Sequence, residues 1–146
     1  MEFDDRQDTQ VLQEFFVPIN EFVRYIDDVR EYLQYENLNI LNITIRYVEK
    51  DDETVMNYAK DDMFAFVVLI QHGKDKDSVQ YAKEVIQKWT DLTLEHRGTY
   101  YLPYYPYQSK QQMVSAYPKT QDFFNKKREF DPNSVFMNTF YENYGE

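Results

Sequence analysis

Hydrophobic residues recur with two different periods along the chain, and the change of period predicts where strands and helices lie. Residues 11–17 are largely β-branched and aromatic and end at Pro18, which is typical of a strand. Residues 38–48 alternate between apolar and polar side chains, which predicts a strand with two unlike faces. Residues 63–70 are apolar throughout, which predicts a central strand covered on both sides. Residues 99–102 predict a short fourth strand.

Apolar residues return at helical spacing in the segments between and after these strands. Asn20 is the predicted N-cap of a helix over residues 21–35. A second helix is predicted over residues 78–97, with Gly98 at the C′ position that ends it. A third helix is predicted around residues 121–130, in the aromatic C-terminal part of the chain.

The order of these elements predicts the fold class. It is β-α-β-β-α-β followed by a C-terminal helical tail, with the acidic residues 49–62 as a connection. This order is typical of a ferredoxin-like α+β domain, in which a mostly antiparallel sheet carries its helices on one face. A length of 146 residues without an internal repeat or a linker-like stretch predicts a single domain.

Composition narrows the possible chemistry. A formal net charge of -10 argues against a surface for nucleic acid or anionic membrane, because phosphate binding needs clustered Lys and Arg. The absence of cysteine excludes thiolate metal sites and cysteine nucleophiles. Three glycines, at 73, 98 and 145, are too scattered for a phosphate-binding loop. Neither a signal peptide nor a transmembrane segment is expected from the polar start and the short apolar runs.

Histidines and paired acids do not form a recognisable metal or acid-base motif. His72 and His96 lack partners at the spacing of metal sites, and His96 is expected to interact with the end of a helix dipole. Adjacent acids such as Asp27-Asp28 and Asp61-Asp62 diverge on a helix or strand and are usually solvated, so no metal site is expected.

The polar face of the second predicted strand is a candidate site. Asn42, Thr44 and Arg46 alternate with apolar residues and therefore share one face. Two interpretations of Arg46 remain open, namely an exposed or ion-paired side chain and an arginine directed at a developing anion.

A tyrosine-rich segment, TYYLPYYPYQSK at residues 99–110, is the second candidate. Five tyrosines fall within eight residues, and tyrosine combines an apolar ring with a polar end, which favours an interface or the wall of a ligand site. Lys110 follows directly and is the nearest fixed cation, although an exposed lysine is its simplest interpretation.

Several motifs in this order resemble one known family. They are FFVPINEF, LNITIRYVEKDDE, DMFAFVVLI, EHRGTYYLPY and AYPKTQDFFNKKREFDPNSVFMNTFY. Together they resemble the C-terminal, substrate-side domain of FAD-linked oxidoreductases of the vanillyl-alcohol oxidase type, in the branch of aldonolactone and alditol oxidases. The resemblance runs from residue 15 to residue 144, and the ending DP-x-x-x-F-x-N-x-F is its most specific part.

The resemblance implies a two-domain flavoenzyme of which this chain is the cap domain. FAD is then held mainly by an FAD-binding domain outside this sequence, which is the expected protein partner. The substrate is a small polyol, sugar or lactone, oxidised at a C–OH carbon by hydride transfer to flavin N5. The isolated chain is expected to be inactive.

The resemblance also implies roles for individual residues. Arg46 matches the arginine of an acid-x-Arg pair facing the flavin, whereas Thr44 stands where relatives have the acid. Lys110 matches a second cation after the last strand, which makes Arg46 and Lys110 the candidate catalytic residues. The residues expected to face substrate or flavin are Asn42, Thr44, Tyr105, Tyr107 and Asn138. The alternative is a stand-alone ferredoxin-like module that binds a small ligand or self-associates, and a relative that has lost catalysis is a third possibility.

Overall fold

Four strands form a single antiparallel sheet in the computed structural model, which describes residues 4–145. The strands are β1 (Asp8–Pro18), β2 (Asn39–Val48), β3 (Met63–Gly73) and β4 (Thr99–Tyr100). Their order across the sheet is β2-β3-β1-β4, so the two apolar strands β1 and β3 are central. Every neighbouring pair is antiparallel.

Two long helices connect the strands, and three shorter ones follow the sheet. The helices are α1 (Phe22–Leu33), α2 (Lys76–Glu95), α3 (Lys110–Ala116), α4 (Thr120–Phe130) and α5 (Thr139–Tyr144). Within residues 4–145 no helix has the length and apolar character needed to cross a membrane. The β-α-β-β-α-β order with a helical tail confirms the predicted ferredoxin-like α+β class.

The core lies between the sheet and its helices. Phe15 of β1 stacks on Trp89 of α2 with ring centroids 4.8 Å apart, and both side chains are fully buried. Phe66 of β3 meets Tyr25 of α1 edge to face at 5.2 Å. Because strand residues alternate between faces, every second residue of β1 and β3 faces these helices, and the others face the opposite side.

The helices of the C-terminal tail pack on the same core. Of these helices only α4 was predicted from the sequence, and α3 and α5 were not. Ser109 is the N-cap of α3 and forms a capping box with Gln112. The Ser109 side chain accepts a hydrogen bond from the Gln112 backbone N–H, and the Gln112 side chain accepts one from the Ser109 backbone N–H. The buried tail residues that join the helix-side core are Met113, Ala116, Tyr117, Phe124, Tyr141 and Tyr144.

The predicted N-cap of the first helix is wrong by one residue. After Pro18 the chain forms a 3-10 turn over Ile19–Glu21, so Glu21 rather than Asn20 precedes α1. The Asn20 side chain instead accepts a hydrogen bond from Arg97 at 3.0 Å.

The end of α2 also differs from the prediction. Arg97, with φ 60°, is the left-handed residue at C′. The N–H groups of Gly98 and Arg97 bond the carbonyls of Thr93 at 2.8 Å and Leu94 at 2.9 Å, which is the Schellman pattern. Gly98 is required for another reason, because a Cβ there would lie 2.4 Å from the Phe16 carbonyl oxygen.

The apolar face of β2 points to the helix side of the sheet but is only partly covered. Ile43, Ile45 and Tyr47 are between 43% and 57% exposed. The reason is that β2 is an edge strand of the sheet and that Phe22 of α1 packs on β3. Leu41 lies at a register shift, so it leaves the predicted alternation.

Candidate functional site

The sheet face opposite the helices is built from cross-strand rows that take one residue from each of β2, β3 and β1. Two adjacent rows are Thr44–Val67–Glu14 and Arg46–Ala65–Phe16. We call this surface the open face. Its polar residues on β2 are those predicted from the sequence, and its central strand contributes small or apolar side chains.

Arg46 reaches across β3 to a buried carboxylate. Its Nη2 donates a hydrogen bond to Glu14 Oε1 at 2.7 Å. The side chain of Glu14 is only 6% exposed, whereas that of Arg46 is 55% exposed. The row of Arg46 has Ala65 at its centre, and this small side chain leaves room for the guanidinium to cross. A buried carboxylate is stable only with such a partner, so the pair is a fixed feature of the open face.

An open cavity of about 350 Å³ lies beside this pair. The Arg46 pocket, as we name it, is lined by the ion pair and by aromatic rings. The ring of Phe16 stacks on Tyr58 at 4.5 Å, and Tyr101 meets Tyr58 at 5.5 Å and Tyr104 at 5.0 Å. The complete lining is Glu14, Phe16, Arg46, Tyr47, Val48, Tyr58, Tyr101 and Tyr104.

Two backbone connections bring the tyrosines to the pocket. The Tyr101 N–H donates to the Glu14 carbonyl at 2.9 Å, which continues the pairing of β4 with β1. The Tyr58 carbonyl accepts from the Thr99 hydroxyl at 2.6 Å. The acidic residues 49–62 are therefore more than a connection, because they fold over the open face and bury Ala59.

Electrostatics link the aromatic wall to the ion pair. Partial burial, and after it the negative charge of Glu14, raises the pKa of Tyr104. The positive charge of Arg46 acts in the opposite direction on the same hydroxyl. Tyr104 is therefore a neutral hydrogen-bonding group at neutral pH, close enough to feel both charges of the pair.

The structure brings some of the sequence candidates together. Asn42, Thr44 and Arg46 all lie on the open face, as the alternation predicted. Arg46 lines the pocket directly, and Thr44 occupies the neighbouring row.

Other candidates lie elsewhere. Tyr107 is 2% exposed within the helix-side core, where its hydroxyl bonds His72. Tyr105 is 55% exposed, with its ring 4.6 Å from that of Tyr107. The same segment supplies Tyr101 and Tyr104 to the Arg46 pocket instead, so a ligand contact by Tyr105 or Tyr107 stays a prediction.

Lys110 and Asn138 lie in the tail. Lys110 is the first residue of α3 and is exposed. Asn138 caps α5, and its Oδ1 accepts from the Tyr141 N–H at 2.8 Å. Asn138 also lines a second cavity, of about 300 Å³, that shares Tyr104 with the Arg46 pocket. Any catalytic role of either residue stays a prediction.

Sequence reasoning missed Glu14 and Tyr58 as site residues. Glu14 is the single charged residue in the apolar strand over residues 11–17, and a charge at that place was a usable signal. Tyr58 had no comparable signal, since it lies in an irregular acidic loop.

The fold and this site define a class of protein: an α+β domain that presents a charged and aromatic pocket on an open sheet face. The family model of D-arabinono-1,4-lactone oxidase matches residues 3–144, and the chain belongs to that family. It is an aldonolactone-oxidase-like domain of FAD-linked oxidoreductases. No curated protein is a significant match to the chain.

The residues that the structure describes show no turn suited to the pyrophosphate of FAD. A pyrophosphate needs free backbone N–H groups at a glycine-rich turn, yet space beside Gly98 is closed by the Phe16 carbonyl and space beside Gly73 by the Asp75 carboxylate. Within residues 4–145 no group of three or more His, Cys, Asp or Glu side chains is arranged to hold a metal ion.

Proposed function

We propose that this chain is the substrate-side domain of an FAD-dependent oxidoreductase that oxidises a C–OH group of an aldonolactone or sugar-like alcohol. D-arabinono-1,4-lactone is the first substrate to test, because the family that the chain belongs to carries that name. The observation that carries the proposal is the Arg46 pocket, which places an exposed cation and several aromatic rings together on the open face.

The chain's own residues would bind and orient the substrate. Tyr58, Tyr101 and Tyr104 offer aromatic faces that suit the C–H surface of a sugar ring. Arg46 would donate hydrogen bonds to the substrate oxygen and stabilise negative charge that develops there. FAD, when bound, supplies the hydride acceptor at flavin N5.

The proposed protein partner is an FAD-binding domain outside these residues. The open face with its pocket is the side we propose it covers. Water would then leave the Arg46 pocket, and the electrostatic interactions there would strengthen.

The test is to purify the protein encoded by the complete reading frame and to record its absorption spectrum before and after adding D-arabinono-1,4-lactone without oxygen. We expect flavin bands that bleach when the lactone is added. A complete reading frame without an FAD-binding region, or flavin bands that neither lactones nor alditols bleach, would count against the proposal.

A second candidate function is self-association, and the exposed apolar face of β2 favours it. An unpaired edge strand with exposed Ile43, Ile45 and Tyr47 is a surface on which another strand can pair. Sedimentation of this chain alone separates the two candidates. A stable homodimer that disappears in an Ile45→Lys variant would favour the second, whereas a monomer would remove it.

A further inference from the structure

We propose that Glu14 is a specificity-determining residue, which offsets part of the charge of Arg46 so that the pocket favours an uncharged lactone over the carboxylate formed when that lactone hydrolyses. The inference rests on the proposed function, since it concerns the substrate of the same pocket.

The Glu14 carboxylate lowers the net charge of the Arg46 pocket. Glu14 Oε1 and Arg46 Nη2 are 2.7 Å apart, and Glu14 is almost fully buried beside the cavity. A carboxylate in that position weakens the attraction of any second anion for the same guanidinium. Replacing a buried ion pair with apolar residues is often neutral or stabilising, so stability alone does not explain a charge on this strand.

The Arg46 guanidinium keeps hydrogen-bond donors that a ligand can use. The bond to Glu14 uses one of the five N–H donors of the guanidinium. The Arg46 side chain is still 55% exposed beside the cavity, so it can donate to hydroxyl or carbonyl oxygens. These oxygens are uncharged in a polyol or a lactone.

The competing ligand is the hydrolysis product of the lactone itself. Water opens the ester bond of a 1,4-lactone to give a hydroxy acid, which is an anion at neutral pH. The lactone and this aldonate have the same carbon skeleton and nearly the same hydroxyl groups, so the shape of an open pocket separates them poorly. A guanidinium without a carboxylate partner is a strong bidentate binder of carboxylates. Charge is therefore the property by which this pocket can discriminate.

The experiment measures binding of D-arabinonate and of D-arabinono-1,4-lactone by anaerobic isothermal titration calorimetry, using the complete protein with its flavin reduced beforehand so that the lactone is not oxidised. Glu14→Gln removes the charge and keeps the shape of the side chain. We expect it to bind D-arabinonate at least about tenfold more tightly than the wild type, with a smaller change for the lactone. The double variant Glu14→Gln/Arg46→Gln should lose this gain, because the gain depends on the unpaired guanidinium.

Glu53→Gln is the matched control, because it removes the same charge from an exposed position in the loop over residues 49–62. Glu14→Leu is measured in parallel, so that a folding defect of one variant does not decide the outcome. Unchanged D-arabinonate affinity in the folded Glu14 variants, with normal lactone binding by the wild type, overturns this inference and leaves the proposed function intact. A wild-type protein that binds no lactone contradicts the proposed function itself.

Discussion

The ring of Tyr58 stacks on the ring of Phe16 with centroids 4.5 Å apart, and this contact holds an acidic loop against the open face of the sheet. Phe16 is fully buried although it points away from the helices. The smaller cluster of Phe16, Met63 and Ala65 is therefore a second core, formed under the loop over residues 49–62. The Arg46 pocket depends on this second core, because Tyr58 is part of its wall.

We predict that Tyr58→Ala releases the loop without unfolding the domain. The variant loses an aromatic contact that contributes about 0.5–1.5 kcal/mol beyond its buried area. Hydrogen exchange of the amides in residues 49–62 should become faster, while exchange in β3 stays slow. Tyr35→Ala, at an exposed position, is the control. Equal exchange in the loop of Tyr58→Ala and the wild type would show that Tyr58 does not hold it.

A second prediction concerns the hydrogen-bonded core between the two long helices. Trp89 Nε1 donates to the Tyr25 hydroxyl at 2.8 Å, and that hydroxyl also bonds Thr93 Oγ1 at 2.9 Å. Tyr25→Phe leaves the buried indole N–H without its acceptor, which costs roughly 1–3 kcal/mol. Urea unfolding of Tyr25→Phe should show this loss, and Tyr35→Phe should unfold like the wild type. A midpoint that does not move in Tyr25→Phe would contradict the role of this bond.

A third prediction concerns Asp131, which follows α4 in the most specific motif of the family resemblance. Its carboxylate accepts from Lys127 and from the N–H groups of Val135 at 2.8 Å and Phe136 at 2.9 Å. The Lys127 hydrogen bond, followed by these backbone N–H groups, holds the pKa of Asp131 below its ordinary value of 3.8. The motif therefore has a structural role, which is to shape the turn before α5.

The sign of the pH effect follows from this lowered pKa. Asp131 stabilises the folded state above its ordinary pKa, and the contribution is lost as the pH falls through the lower folded value. Asp131→Asn should therefore lower the melting temperature at neutral pH, and the difference from the wild type should shrink below about pH 3.8. Asp5→Asn, an exposed site, is the control. A difference that is the same at neutral and acid pH would contradict this account.

The strands and long helices could be predicted because their periods are local. A continuous run of apolar residues predicted the central strand β3, and apolar residues at helical spacing predicted α2. The errors lie where a distant contact decides the local conformation. Gly98 is needed because the Phe16 carbonyl leaves no space for a Cβ there. The Asn20 side chain accepts a hydrogen bond from Arg97 and does not cap α1.

Only part of the site was predicted, because contacts between residues that are distant in the sequence decide the rest. The alternation on β2 placed Arg46 on the correct face, yet its partner Glu14 lies 32 residues away on a strand that is not its neighbour. In the tyrosine-rich segment, no period distinguishes Tyr101 and Tyr104 from Tyr105 and Tyr107. Only the pairing of Tyr101 with the Glu14 carbonyl fixes which rings reach the pocket.

The most direct test of the central claim is the rate at which D-arabinono-1,4-lactone reduces the flavin of the complete protein, followed by anaerobic stopped-flow absorbance. We predict that the wild type is reduced and that Arg46→Ala is reduced about a hundredfold more slowly with unchanged flavin content, because it lacks a charged donor for the developing oxyanion. Arg30→Ala, at an exposed arginine, should behave like the wild type. Equal rates of flavin reduction in Arg46→Ala and the wild type would contradict the account.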